Sequence, residues 1–341
     1  METMRAAIFE KVGTLIVKEV PIPKINSEDE ILLKVNAVSV CGTDVHIVAV
    51  PPGYTATDNT ILGHELVGTV MEKGALVTNV EIGDHVVVNP NNYCGCCSYC
   101  RKNMPNLCQN IEPLGIDYDG AFAEYCVVKG KVAYKISKDV SFNAAACAEP
   151  LACAINGLNK VNIKPGDSVA IVGAGPIGMM IAMLVKASGA GKIYHLEVAP
   201  YRISFLKNLN VVDRVINPIE EDAQKIIKDE LETGVDFVFD VTGSQICSSL
   251  NLVRRGGTVV LFGVNKNSVS NLAQSVITTN EVSVIGTWLA NATFPQAVKV
   301  LEQKVIDVEK LVTDVIPLKE IHNGIEKLAK GQAVKVIVKM D

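Results

Sequence analysis

This 341-residue sequence lacks several features that mark other classes of protein. Basic residues are not in excess, because the formal net charge is -5, and no block of like charges is long enough to suggest an interaction tail. We therefore expect neither a nucleic-acid surface nor a membrane surface. The first residues contain no apolar signal core, which favours a cytoplasmic protein. The most apolar run, 169–185, is broken by three glycines and one proline and is too short to span a membrane.

Cysteine, by contrast, is abundant: the sequence has ten, and five of them lie within fifteen residues. In a long chain without a signal peptide, such a cluster indicates a metal site rather than disulfides. The spacing Cys94-x2-Cys97-x2-Cys100-x7-Cys108 lets one looping segment wrap a tetrahedral zinc, which predicts a closed structural site. Reduced surface thiols are the alternative, and the few basic residues nearby argue against a nucleic-acid zinc finger. Cys96 interrupts the spacing and is interpreted as a spectator or a site of oxidation.

The remaining pattern divides the chain into two kinds of segment, and the overall class is α/β. Short runs of Val, Ile and Leu between glycines and prolines predict a β-rich region over 5–90. Farther along, strands alternate with helices, which predicts a doubly wound parallel sheet. After 288 we expect one helix and a final strand. We predict one domain built from 1–150 and 289–341, with a dinucleotide-type domain, 151–288, inserted between.

The inserted segment carries the motif Gly173-Ala174-Gly175-Pro176-Ile177-Gly178 between a strand and a helix. The first glycine permits a tight turn, the second lets pyrophosphate approach the backbone, and the third lets helix and strand pack closely. Glu197, at the end of the next strand, can accept from ribose hydroxyls and would repel a 2′-phosphate, which favours NAD over NADP. Arg202 keeps NADP open, because a guanidinium could hold that phosphate. A solvated strand-end acid is the alternative for Glu197.

The hexapeptide Cys41-Gly42-Thr43-Asp44-Val45-His46 follows a predicted strand, 31–38. A thiolate there suits zinc, and Asp44 is well placed to steady a second ligand. The segment Gly63-His64-Glu65 adds an imidazole and a carboxylate, so the two motifs supply the ligand types of an open catalytic zinc site. Glu149, at the start of a helix, is a further candidate. A packed reduced cysteine and a satisfied core histidine are the alternative interpretations.

Taken jointly, these motifs resemble those of the zinc-dependent medium-chain dehydrogenases, nearly from end to end. The residues that carry the resemblance are Cys41-Gly-Thr-Asp-Val-His46, Gly63-His-Glu65, the four spaced cysteines, Gly120-Ala-Phe-Ala-Glu-Tyr125, Glu149-Pro-Leu151 and Gly173-Ala-Gly-Pro-Ile-Gly178. The resemblance implies a GroES-like β-rich catalytic domain, a Rossmann domain, NAD, and two zinc ions per chain. A glutamate at Glu149, where alcohol dehydrogenases proper have cysteine, is similar to the polyol (sorbitol-type) and threonine dehydrogenase branch.

The resemblance also implies a mechanism, in which a secondary alcohol binds the open zinc position and gives hydride to the nicotinamide. A relay through Thr43 and His46, or zinc-bound water, would remove the proton, and Asp44 would orient His64. Water or Cys147 could take the place of the glutamate in the metal shell. The ligands implied for the catalytic zinc are Cys41, His64, Glu65 and Glu149.

The expected substrate is a polyol, a sugar alcohol or its phosphate, with L-threonine 3-dehydrogenase and butanediol dehydrogenase as alternatives. A non-catalytic dinucleotide-binding protein would have no need of open-site zinc ligands. The loop 48–59 is expected to line the pocket, but nothing in it selects one alcohol. The apolar segment 282–288 predicts an edge strand that pairs across a homodimer or homotetramer.

Overall fold

The computed structural model describes residues 2–340 and divides into two compact units. The first unit takes in the chain up to Ala152 and again from Ala290 onward, and the second is Cys153–Leu289. Within the described residues, no helix is both long enough and apolar enough to cross a membrane.

The elements are as follows, in chain order. The strands are β1 (Thr3–Lys11), β2 (Thr14–Pro21), β3 (Glu30–Ser39), β4 (Thr60–Ile61), β5 (Glu65–Lys73), β6 (His85–Val88), β7 (Asn91–Asn92), β8 (Glu112–Pro113), β9 (Tyr125–Lys129), β10 (Ala133–Lys135), β11 (Ser168–Val172), β12 (Lys192–Leu196), β13 (Arg214–Ile216), β14 (Val235–Asp240), β15 (Val253–Leu261), β16 (Ser283–Gly286), β17 (Val312–Pro317) and β18 (Lys335–Lys339). The α-helices are α1 (Gly42–Val48), α2 (Ser98–Arg101), α3 (Phe142–Ala145), α4 (Ala148–Leu158), α5 (Pro176–Ala187), α6 (Pro200–Leu209), α7 (Ala223–Leu231), α8 (Ile246–Leu252), α9 (Gln274–Thr279), α10 (Phe294–Glu302) and α11 (Ile321–Ala329). Four 3-10 turns span Pro105–Leu107, Gly130–Val132, Val308–Leu311 and Leu318–Glu320.

The first unit is built on a seven-stranded sheet in the order β10-β6-β5-β3-β18-β17, with β9 also paired to β3. Strand β3 alternates buried and less buried residues, as the sequence pattern predicts for a half-buried strand. Its neighbours are β5 on one side and β18 on the other, both antiparallel to it. The end of β3 therefore lies between the start of β5 and β18, which come from distant parts of the chain.

The second unit contains one six-stranded sheet in the order β13-β12-β11-β14-β15-β16, and every pairing is parallel. This is the doubly wound order 3-2-1-4-5-6, so the predicted sheet is confirmed. All five residues of β11 are buried, as expected for a central parallel strand that is covered on both faces. The order reverses between β11 and β14, and ligands of such sheets bind beside the carboxyl ends of the strands at that point.

The prediction from sequence is incomplete for the C-terminal part of the chain. Beyond 288 we expected a single helix and a final strand, and α10 and β18 correspond to these. The structure adds β17, which pairs in parallel with β18, and α11. Because β17 pairs with one side of β18 and β3 with the other, β18 is an interior strand and not an edge strand. Its first residue, Lys335, is therefore buried.

Candidate metal and cofactor sites

Cys41 lies where β3 ends and α1 begins, as the N-cap residue of that helix. Its sulfur accepts a hydrogen bond from Thr43 N at 3.4 Å, and the carboxylate of Asp44 accepts one from Cys41 N at 2.8 Å. This is the reciprocal arrangement of a capping box, with a cysteine in place of the usual serine or threonine. The cap fixes the direction of the thiol and buries Asp44 completely.

His64 and Glu65 reach the same place because β5 starts at Glu65 and pairs with the end of β3. One ligand atom from each of Cys41, His64 and Glu65 lies within 4.8 Å of the other two. The structure thus brings together the three residues that the sequence motifs selected. Glu149 is buried near the start of α4 but is not part of this group, so its role as a zinc ligand stays a prediction.

The rival candidate Cys147 is also buried, and its thiol donates to the carbonyl of Asn143 at 3.5 Å. Burial raises the pKa of this thiol to about 12, so it favours the neutral form. Cys147 does not join the group of three either.

The buried thiol, imidazole and carboxylate side chains of this group are suited to bind a cation. Burial, together with the Glu65 carboxylate, raises the pKa of Cys41. Burial acts to lower the pKa of His64, but the Cys41 sulfur and the Asp44 carboxylate outweigh it and raise that pKa well above its ordinary value. Asp44 Oδ1 and His64 Nδ1 approach to 3.6 Å, and neither atom has a hydrogen bond although both are buried. The donor set fits zinc, which takes thiolate, imidazole and carboxylate ligands.

Two residues at this site were missed by sequence reasoning, Lys335 and Ser39. The Lys335 ammonium and the Ser39 hydroxyl both donate to Glu65 Oε2, and Lys335 also donates to the Val40 carbonyl at 3.3 Å. Lys335 is only 1% exposed. Burial acts to lower its pKa, but the Glu65 carboxylate raises it, so the side chain stays protonated. The carboxylate therefore lies between a buried ammonium and the other two candidate ligands.

The predicted relay residues lie on α1. Thr43 is half-buried and His46 is exposed, three positions apart and hence on one face of the helix. Thr43 is therefore the more buried of the two residues, and His46 is the more exposed to solvent. No hydrogen bond joins the two side chains in the part of the chain that the structure describes, so the relay stays a prediction.

The four spaced cysteines form the second group. Their sulfur atoms are separated by 3.5 Å (Cys97 to Cys100), 3.5 Å (Cys94 to Cys108) and 3.9 Å (Cys97 to Cys108). Four thiolates that bind a tetrahedral zinc at ~2.3 Å lie about 3.8 Å from one another, so the lobe fits the ion. Backbone N–H groups of residues 96 and 97 lower the pKa of Cys94 to about 5, which favours the thiolate.

Cys96 lies at the edge of this lobe, exposed, with its sulfur 3.8 Å from that of Cys94. We predict that Cys96→Ser leaves the zinc content of purified protein unchanged, because four other thiolates complete the shell. Cys108→Ser should lower the content by about one ion per chain and reduce the thermal midpoint, because metal binding orders this loop. Elemental analysis and thermal unfolding check both variants. Loss of zinc in Cys96→Ser would contradict the assignment of the four ligands.

The glycine motif joins β11 to α5 in the second unit. Gly173 has φ +102°, a conformation that side-chain residues rarely adopt. A Cβ on Gly178 would lie 2.1 Å from the Gly173 carbonyl oxygen, so this glycine allows the close approach of helix and turn. A Cβ on Gly175 would meet nothing within 4 Å, which leaves open space before the N-terminus of α5. Such a cradle fits the pyrophosphate of a dinucleotide.

Glu197 follows β12 and is 7% exposed. One carboxylate oxygen accepts from Ala174 N at 2.7 Å, and the other accepts from the N–H groups of Val198 and Ala199. The acid therefore lies against the glycine turn, as the sequence spacing predicts. Arg202, on α6, is half-buried, and its Nε is buried without a hydrogen bond.

Comparison with known proteins agrees with this geometry. Residues 27–138 match the alcohol dehydrogenase GroES-like domain, and residues 176–303 match the zinc-binding dehydrogenase family. D-arabinitol dehydrogenase 1 of Uromyces fabae is 33% identical and covers 98% of this chain and 97% of its own. Sorbitol dehydrogenase of Bacillus subtilis (strain 168) is 31% identical, covering 99% and 97%. L-threonine 3-dehydrogenase of Caldanaerobacter subterraneus subsp. tengcongensis is 36% identical, covering 97% and 96%.

Solved structures are similar over the whole chain. A zinc-binding dehydrogenase from Sinorhizobium meliloti 1021, bound to NADP, has a TM-score of 0.93 at 30% identity and covers 99% of this chain and 100% of its own. An alcohol dehydrogenase from E. coli CFT073, complexed with NADH, has a TM-score of 0.91 at 27% identity, with coverage of 99% and 100%. This chain belongs to the zinc-dependent medium-chain dehydrogenases, in the branch that contains the polyol and threonine dehydrogenases.

Proposed function

We propose that this protein oxidises a secondary alcohol group of a polyol or sugar alcohol, or of its phosphate, with NAD as the hydride acceptor. The observation that carries the proposal is the group Cys41, His64 and Glu65, three metal-ligand types within 4.8 Å of one another. A protein that only bound a dinucleotide would have no use for this group.

In this proposal Cys41, His64 and Glu65 hold a catalytic zinc, and a fourth place is left for Glu149 or water. When bound, the zinc would act as a Lewis acid that lowers the pKa of an alcohol, and NAD would accept its hydride. Asp44 lies beside Nδ1 of His64, which leaves Nε2 as the nitrogen for the metal.

Thr43 and His46 are the proposed route for the proton. The half-buried hydroxyl of Thr43 takes the proton from the substrate as it gives its own to the imidazole of His46, which is exposed and releases a proton to solvent. In the second unit, the glycine turn and α5 receive the pyrophosphate, and Glu197 lies at the ribose. Gly173, Gly175, Pro176, Ile177 and Gly178 form this part of the cofactor site.

The proposed coenzyme is NAD rather than NADP, because a buried carboxylate at Glu197 would repel a 2′-phosphate. Arg202 favours the opposite choice, because a guanidinium could hold that phosphate. Among the relatives named above, one structure contains NADH and the other NADP, so both coenzymes belong in the test.

Two similar sequences are named as polyol dehydrogenases, and these support the substrate class. The second candidate is L-threonine 3-dehydrogenase, favoured by the 36% identity of one relative with that name. A butanediol is a third candidate, on the basis of a similar structure of 2R,3R-butanediol dehydrogenase from Bacillus subtilis. The zinc chemistry proposed above serves all three, so a panel of substrates is needed to distinguish them.

We also propose a homodimer or homotetramer in the cytoplasm. Strand β16 is at one edge of the six-stranded sheet, and Trp288, just after it, is 40% exposed. An uncovered edge strand can pair with a copy of itself across a two-fold axis. None of the ten cysteines, all of which lie in the described residues, forms a disulfide, which suits a reducing compartment.

A substrate panel tests the proposed activity. Purified protein with its zinc content measured is given sorbitol, arabinitol, xylitol, their phosphates, L-threonine and 2,3-butanediol, each with NAD and with NADP. We expect formation of NADH, followed by its absorbance, with the highest kcat/KM on a polyol or polyol phosphate. Turnover of threonine alone would contradict the substrate class. No turnover of any alcohol by protein that holds two zinc ions would contradict the enzymatic function itself.

A further inference from the structure

His195 is a fully buried histidine in β12 that the proposed reaction does not use. Its Nε2 lies 3.0 Å from the carbonyl oxygen of Gly173, the first glycine of the turn. A carbonyl can only accept, so Nε2 carries the proton and donates. The other ring nitrogen, Nδ1, is buried and has no hydrogen bond. The contact with Gly173 is thus the one hydrogen bond that this ring makes in the described part of the chain.

The Gly173 carbonyl, which accepts this hydrogen bond, is closely covered on one side. Helix α5 covers the Gly173 carbonyl so closely that a Cβ on Gly178 would lie 2.1 Å from its oxygen. Little room remains for water on that side. Gly173 as a whole is half-buried. If the imidazole donor were lost, its carbonyl would lose its protein partner on the side that the helix covers, which is costly.

Three consecutive residues, the last two of β12 and Glu197 directly after it, form hydrogen bonds with the backbone of the first two residues of the turn. The Leu196 carbonyl accepts from Gly173 N at 2.9 Å, His195 donates to Gly173 O, and Glu197 accepts from Ala174 N at 2.7 Å. The peptide plane between Gly173 and Ala174 is therefore fixed by side chains on both of its polar edges. The next residue is Gly175, where the open cradle begins.

We propose that His195 is a positioning residue for the dinucleotide, which fixes the peptide between Gly173 and Ala174 so that the cradle is formed before the cofactor arrives. This inference rests on the proposed cofactor site. A cradle that is already ordered binds its ligand without a further loss of loop entropy. The ring remains a neutral donor near neutral pH, because burial lowers the pKa of His195 to about 4.

Two substitutions at this position separate hydrogen bonding from packing. His195→Met fills a similar volume but donates no hydrogen bond, whereas His195→Gln places an amide N–H near the position of Nε2. Tyr194→Phe is the matched control. It removes the hydrogen bond from another buried side chain of the same strand, whose hydroxyl donates to Glu230 at 2.9 Å, away from the turn.

Binding is measured with full-length, zinc-loaded protein and two probes, NADH by fluorescence and ADP-ribose by calorimetry. ADP-ribose contains the pyrophosphate but has no nicotinamide, so it reports on the cradle without any reaction. We expect both Kd values to rise about tenfold in His195→Met, the size of effect for one buried hydrogen bond, and to stay within about threefold of wild type in His195→Gln. Tyr194→Phe should bind like wild type, and all variants should keep two zinc ions.

Unchanged binding in His195→Met, or equal losses in His195→Met and His195→Gln, would overturn the inference. Equal losses in Tyr194→Phe would also do so, because they would indicate general weakening of the strand. If His195→Met does not fold, His195→Asn replaces it, since its shorter amide does not reach the carbonyl. Failure of the wild-type protein to bind either probe would overturn the proposed cofactor site and this inference together, an outcome distinct from the others.

Discussion

Replacing Cys41 with alanine is expected to remove the catalytic zinc and to lower kcat/KM on the best alcohol by about 10³-fold or more. Without the thiolate, the group of three retains only His64 and Glu65, which weakens binding of the metal. Zinc content should fall from about two ions per chain to about one, because the four-cysteine lobe does not involve Cys41. Elemental analysis and steady-state kinetics measure the two effects on the same preparation.

The control for this variant is Cys126→Ser, which alters another buried cysteine of the first unit that belongs to neither metal group. It should keep two zinc ions and nearly full activity. The alanine also removes the sulfur that caps Thr43 N, so some loss of stability is expected in Cys41→Ala. Full zinc content in Cys41→Ala would show that this residue is not a ligand, and the proposed mechanism would then fail.

The second large effect is expected at Lys335. Lys335→Met keeps the length of the side chain but leaves the Glu65 carboxylate buried without its cation. Removing one partner of a buried pair typically costs ~3–5 kcal/mol of unfolding free energy. We expect a loss of this size in urea unfolding of the zinc-free protein. It should be smaller with zinc bound, because the metal can take over the neutralisation of Glu65.

Two further variants show whether charge is the cause. The double variant Lys335→Met with Glu65→Gln should recover part of the lost stability, because the unpaired carboxylate is gone. Lys339→Met, at the exposed end of the same strand, should change the unfolding free energy by less than about 0.5 kcal/mol. A fully stable Lys335→Met protein would contradict this account, because it would show that the buried Glu65 carboxylate does not depend on the ammonium.

Local spacing explains why so much of both metal sites was predictable. Four cysteines within one loop and the segment from Cys41 to His46 each bring their functional groups together over a few residues. The glycine motif likewise needs only the strand before it and the helix after it. Within each motif the functional groups are neighbours in sequence. The structure groups the four cysteines of the loop, and it groups Cys41 with His64 and Glu65 through the pairing of β3 with β5.

The parts that escaped prediction depend on partners far apart in the chain. Lys335 begins a strand whose pattern, Lys-Val-Ile-Val-Lys, is typical of a strand with exposed ends. It is buried because β18 lies between β3 and β17, and its ion-pair partner, Glu65, is 270 residues away. Nothing in the local sequence marks Ser39, which lies directly opposite Glu65 in the sheet. No local pattern specifies such pairings.

The position of β18 has a consequence for biosynthesis. Cys41, His64 and Glu65 are all synthesised early in translation. The Glu65 carboxylate gains its ammonium partner only after translation has passed Lys335. By then the whole of Cys153–Leu289 has been synthesised and can fold, since domains generally fold as units from the N-terminal side during synthesis. The first unit is thus the first to be synthesised in part and the last to be completed. Zinc can bind beside a Glu65 that is already paired with Lys335 only after this last step.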